Sequence, residues 1–263
     1  MIGRLNLSRL VAVCVLLFLP MPIVIVVLSS FSAAGYLTFP LQGVSLRWYA
    51  EFLTSADWMR VLTTSAILAV LSAVVSTAAA LMAAWVVVRR GFRGQSFYET
   101  LLMTPLIFPH AAIGVIMIVV LAQFGWIGTG IGLALAHCIV TIPYAYRPIV
   151  SSLRKMDGSF EEAAMSLGAR PGRVFWKVTL PTLQPGLVTA LLFSLIVSFD
   201  EVTVTMFLVG PHVMTLPVQV FSEVLESASP VIAAVSATLV FFTTGLIFVL
   251  DRVVGLEFFV ERD

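Results

Sequence analysis

Charge is scarce in this chain. Of its 263 residues 11% are Asp, Glu, Lys or Arg and 60% are hydrophobic, whereas soluble domains carry ~25% charged residues. A water-soluble globule is excluded, and the composition is that of an integral membrane protein. Lysine occurs only at Lys155 and Lys177, and neither follows a glycine. The chain therefore lacks the phosphate-cradling loop that ends in Gly-Lys-Ser or Gly-Lys-Thr, and any nucleotide chemistry has to come from another subunit. His110, His137 and His212 show no metal-ligand pairing, and there is no Gly-x-Ser-x-Gly elbow, so neither a resident metal nor catalysis is expected. The two cysteines, Cys14 and Cys138, both fall in apolar runs, which argues against a disulfide framework. A net charge of +1 gives no broad attraction to nucleic acid.

Long apolar runs are what the chain does have. A bilayer-spanning helix needs ~20 mainly apolar residues, and six stretches qualify: about 10–30, 61–88, 101–122, 127–147, 187–208 and 231–250. Lipid offers no water to exposed backbone groups, so each span should be helical. The expectation is an all-α polytopic membrane protein, one domain over 1–263, with six transmembrane helices and both termini on one side. Thirteen of the fifteen Lys and Arg fall at the termini and in the 89–93 and 147–177 segments, and only Arg47 and Arg60 fall opposite. That asymmetry places both termini and the 148–186 loop in the cytoplasm. Arg4 and Arg9 before an apolar run also fit a secretory signal peptide, but the run is longer than a signal core and points to a retained first helix.

Between the first two spans, Tyr36, Phe39, Trp48, Tyr49, Phe52 and Trp58 read as an aromatic belt at the outer interface, with Ser45 capping a short surface helix. A contact with an external partner is the alternative. The uncharged segment 125–130 should join the third and fourth spans as a tight hairpin. Ionisable groups inside a membrane are costly and commonly face a water-filled path or a partner. Asp200 and Glu201, read as lying in the outer half of the fifth span, are thus candidates to attract a cation, with Thr203 and His137 on the same route. The alternative is that these carboxylates form a structural ion pair and that His137 is a packing residue. His110, after Pro109 at a predicted helix break, is open to the same two readings.

One long stretch, 157–186, is neither apolar nor terminal. Ser159 and Glu162 have capping-box spacing, Phe160, Ala163, Ala164 and Leu167 recur at helical spacing, and Gly168 provides a stop, which predicts a short amphipathic helix. Pro171 can open a second one with Val174, Phe175 and Val178 on its apolar face. An orienting cytoplasmic linker is the plainer reading.

The spacing Glu162-Ala163-Ala164, Gly168, Val178, Leu180-Pro181 resembles the EAA loop of bacterial ABC-importer permeases. Ser198-Phe199-Asp200-Glu201, the 207–211 stretch and Thr215-Leu216-Pro217-Val218 are similar to the polyamine-type branch of that family, specifically its second permease subunit. The resemblance covers nearly the whole chain and implies a type I ABC-importer permease fold in the bacterial inner membrane. It implies a second permease, two copies of a cytoplasmic ATPase that carry ATP and magnesium, and an extracytoplasmic solute-binding protein. Glu162, Ala163, Ala164, Gly168, Arg170 and Arg173 would couple to the ATPase, and transport would proceed by alternating access. Polyamines are the expected cargo, with amino-acid derivatives, opines or organophosphonates as alternatives. An ATPase-independent carrier or channel is the rival class.

Overall fold

The computed structural model describes residues 7–36, 40–211, 213–226 and 229–254; Arg4, Phe39, His212 and Arg262 lie outside them. Among the described residues the chain is helical, and its only β features are two isolated bridges, Ser32 with Val44 and Gly210 with Val213. The helices are α1 (Leu7–Phe18), α2 (Met21–Ser29), α3 (Arg47–Thr54), α4 (Ala56–Arg90), α5 (Gln95–Ile107), α6 (His110–Ala122), α7 (Gly130–Lys155), α8 (Ser159–Ser166), α9 (Pro171–Val174), α10 (Leu180–Thr182), α11 (Gln184–Phe199), α12 (Leu216–Glu226) and α13 (Val231–Val254). A π-turn over Phe175–Thr179 joins α9 to α10, and a 3₁₀ turn covers Thr205–Phe207.

Among the described residues four helical stretches are long and apolar enough to cross a membrane: Arg9–Ser29, Ala56–Arg90, Gly130–Lys155 and Val231–Val249. They match four of the expected spans. The third and fifth differ from expectation. The 101–122 run is broken between α5 and α6 by a 107° bend, because Phe108 is extended ahead of Pro109 and Pro109 cannot donate to continue the ladder. The 187–208 run stops being α-helical at Phe199, and its N-terminal end meets the Pro171–Thr182 segment at 70°. Pro181 and Pro185 each sit in the first turn of a helix, α10 and α11, where a missing N–H costs little. Six crossings result only if each bent pair counts as one span.

The fold divides into two compact units, one drawing on residues up to Arg60 and on Gln219–Thr243, the other on Val61–Val218 and the residues from Thr244 onward. In the first, two residues of the expected aromatic belt turn into the chain while Tyr36 stays exposed. Trp48 and Phe52 are buried, the Trp48 indole N–H donates to the Ser32 carbonyl at 3.0 Å, and Tyr49 shares a 2.6 Å hydrogen bond with Ser30. Arg47 lies 4.0 Å above the Trp48 ring and donates to the Ala34 carbonyl. The aromatic side chains thus tie α3 to the end of α2, and their N–H and O–H groups are satisfied inside the chain. Ser45 does accept from the Arg47 N–H, at 3.1 Å, one residue ahead of the helix cap.

The second unit is organised by α7 and α11, which pack along their length. Its core joins Ala80, Ala84, Ala145, Ile149, Leu153, Leu183 and Ala190, all nearly inaccessible. Alanine at facing positions allows close backbone approach, which is how helices gain contact where lipid supplies no hydrophobic drive. At Gly186 the approach is closest: a Cβ there would lie 2.3 Å from Ser152 Oγ and 3.2 Å from the Pro148 carbonyl. Gly186→Val should therefore lower the stability of the solubilised protein by about 1–3 kcal/mol, read as a lowered thermal midpoint. Gly186→Ala combined with Ser152→Gly should recover most of it.

Candidate functional site

The first candidate region is the α8 to α10 segment. Its N-terminal cap is not the Ser159/Glu162 box. Asp157 Oδ1 instead accepts the Ser159 N–H at 3.0 Å, which holds the Asp157 carboxyl below the usual carboxylate range; Gly158, the cap residue, makes no side-chain bond. The C-terminal stop is as expected. Gly168 has φ +83°, the Ala169 N–H reaches the Ala164 carbonyl and the Gly168 N–H reaches that of Met165, a Schellman closure that needs a residue free to be left-handed.

The apolar side of α8 is not covered by this chain. Phe160 is 62% exposed and Leu167 90%. Glu162, Ala163, Arg170 and Arg173 are exposed too, and Ala164 is partly covered. By contrast Val174 and Thr179 are buried, so the second helical turn is anchored. A residue that the sequence analysis did not single out is Glu161. Its Oε2 lies 2.8 Å from Arg89 Nε at the end of α4, and its Oε1 accepts the Thr179 hydroxyl. Adjacent carboxylates at 161 and 162 point to different sides of a helix, and here one faces inward and one outward.

The second region is a polar network among apolar helices. His137, on α7 and 1% exposed, meets Ser198 Oγ through Nδ1 at 2.8 Å and Thr205 Oγ1 through Nε2 at 2.9 Å. Thr205 also donates to the Glu201 carbonyl. Glu201 is buried; its Oε1 accepts the Val204 N–H at 2.8 Å and its Oε2 lies 2.9 Å from His110 Nδ1. On the other side of His137, Thr141 donates to the His137 carbonyl and shares a 2.6 Å bond with Ser76 of α4. The network thus links α4, α6, α7 and α11. His137 and Thr141 are four residues apart on one face of α7, the signal that could have paired them in advance.

Asp200 and Glu201 do not act alike. Rather than lying mid-helix in a fifth span, they follow its last turn: Asp200 is the C-cap of α11 and is exposed, whereas Glu201 turns inward. Thr203 is partly exposed. The candidate route residues are therefore not one cluster: Glu201 and His137 belong to the buried network, and Asp200 faces outward. Glu201→Ala should strand the Val204 N–H and His110 and cost ~1–3 kcal/mol, while Asp200→Ala should stay within about 0.5 kcal/mol of the parent. Thermal unfolding of both variants in detergent checks the difference.

Among the described residues no group of His, Cys, Asp and Glu is placed to hold a metal. Among the described residues the chain combines several membrane-length helices, a largely buried polar network and an exposed helix-turn-helix segment, an arrangement suited to a membrane subunit that meets another protein. The chain belongs to the family of binding-protein-dependent transport system inner membrane components, which matches residues 76–256. It is 34% identical over 237 residues to the putrescine transport system permease protein PotI of Escherichia coli K12, covering 88% of this chain and 84% of that one. It is 27% identical over 242 residues to the spermidine/putrescine permease PotC of the same organism, covering 91% and 90%. Among solved structures, a bacterial ABC transporter that imports the acidic polysaccharide alginate superposes with TM-score 0.72 at 18% identity, over 96% of this chain and 99% of that one. A chain of the inward-facing MetNI methionine ABC transporter gives 0.63 at 19% identity, over 76% and 98%. The protein is accordingly a permease subunit of an ABC importer.

Proposed function

We propose that this subunit takes up a polyamine such as putrescine or spermidine, sharing its pathway with a second permease. Two copies of a cytoplasmic ATPase, with their ATP and magnesium, drive it, and an extracytoplasmic solute-binding protein delivers the cargo. The chain acts as a single permease domain that crosses the inner membrane six times, each bent helix pair counting once, with both termini in the cytoplasm. The distribution of Lys and Arg supports that orientation.

The observation that carries the coupling role is α8. An eight-residue helix with no buried residue, an uncovered apolar side and a rigid glycine closure is suited to insert into a groove of another protein. Glu162, Ala163, Ala164, Gly168, Arg170 and Arg173 form this contact. ATP-driven closure of the ATPases moves it, and the helices alternate the pathway between the two sides.

For cargo, the names of the relatives and the position of Asp200 point the same way. A carboxylate at the C-cap of α11 opposes the helix dipole, whose C-terminal end favours cations. Its presence there is unfavourable for the fold and useful for receiving an ammonium group. Thr203 supplies a hydroxyl beside it, while Glu201 and His137 set the position of this corner from inside.

In proteoliposomes holding the assembled transporter and its binding protein, labelled putrescine or spermidine should accumulate with ATP and not without it. Asp200→Asn should raise the KM for the cation about tenfold, roughly 1.4 kcal/mol, without loss of assembly. Unchanged kinetics would remove Asp200 from the path. Gly168→Asp should leave the complex inserted but separate ATP hydrolysis from uptake; normal substrate-stimulated hydrolysis with normal uptake would sink the coupling role.

A further inference from the structure

What attaches α8 to the rest of its own chain is a question that its role as an ATPase contact does not answer. No residue of the helix is buried; Glu161 and Ala164 are only partly covered. Between α8 and the end of α4 lies an open cleft of about 560 Å³, lined by Trp85, Val88, Arg89, Glu161, Met165 and Phe175 among others. Apolar packing therefore does not fill the space between these two elements. The Glu161 side chain, 12% exposed, crosses it to reach Arg89, 20% exposed.

That single carboxylate has two attachments. Oε2 meets Arg89 in the last turn of α4, and Oε1 takes the hydroxyl of Thr179, which is 1% exposed in the π-turn leading through α10 to α11. α4 runs unbroken over 35 residues, so a displacement at Arg89 is carried along the whole rod. α11 ends beside the Ser198 and Glu201 network. The pair is also incompletely formed. Arg89 Nε is within ion-pair distance, yet neither Nε nor Nη2 has an aligned hydrogen-bond acceptor. Charge attraction rather than a bidentate fork holds it here, and narrowing of the cleft would let the fork close.

We propose that Glu161 and Arg89 form the mechanical link by which movement of α8 reaches α4, with Thr179 fixing the same carboxylate to the α10–α11 lead. Both are positioning residues: they touch neither cargo nor nucleotide. The proposal rests on the reading of α8 as the ATPase contact, and assigns inward transmission to Glu161 and outward docking to Phe160, Glu162 and Leu167.

The test uses the assembled transporter in proteoliposomes with its binding protein, measuring ATPase co-purification, ATP hydrolysis and cargo moved per ATP. Glu161→Gln and Arg89→Gln should each retain the ATPase subunits and continue to hydrolyse ATP, with transport per ATP reduced about tenfold. The exchange Arg89→Glu with Glu161→Arg should restore most of it. Single variants that transport normally per ATP would overturn the link. So would loss of the ATPase subunits from Glu161→Gln, or a folded exchange variant as defective as the singles. An exchange variant that fails to fold leaves the decision to Glu161→Gln, which preserves shape and the Thr179 contact. Leu167→Asp tests the underlying reading separately: it should release the ATPase subunits, and if it does not, α8 is not the contact, whatever Arg89 does.

Discussion

Glu201 has its two carboxylate oxygens committed to two different segments, the Val204 N–H of its own turn and His110 at the start of α6. An unpartnered carboxylate buried among apolar helices is costly, and both partners lower that cost. Two breaks in otherwise continuous apolar helices, at Pro109 and after Phe199, are thereby brought together. Backbone irregularity within a membrane is tolerated where other groups satisfy it; after Phe199 the Val204 N–H is taken by Glu201 of the same turn, and His110 at the Pro109 break pairs with that same carboxylate. His137 extends the arrangement by placing both ring nitrogens against hydroxyls of α11 and the following turn. The network holds four helices in register at a place where packing of alanine and valine alone would let them slide.

The opposite end of the same helices is built differently. The Schellman closure at Gly168 fixes the end of α8, which rests on α9 and the π-turn, and an ion pair across an open cleft ties it to α4. Interior rigidity and a separately held end suit the proposed movement of the inner helices as bodies. A single ion pair at the edge of an open cleft can change geometry without unfolding anything.

Much of this was legible in the chain. The four unbroken apolar stretches follow from hydropathy and length, and the stop at Gly168 from the demand for a left-handed residue after Leu167. The broken helices were harder, since hydropathy sums over a run and is blind to a bend at Phe108-Pro109 within it. Local capping rules favoured Ser159 and Glu162, but Asp157 lies two residues before Ser159 and its shorter side chain takes the N–H first. Trp48 and Phe52 read as interfacial because aromatic composition says nothing about whether the neighbouring chain folds over them. Glu161 was passed over because its partners, Arg89 and Thr179, are 72 and 18 residues away and only the tertiary fold brings them to it.

The absence of any buried residue on α8 has an evolutionary consequence. A helix with no buried residue can exchange exposed side chains such as Phe160 without threatening folding. On the proposed coupling role of α8, recognition of the ATPase and stability of the bundle are separable traits, and a duplicated transporter could acquire a different motor by changing one short helix while the pathway through its membrane helices stayed as it was.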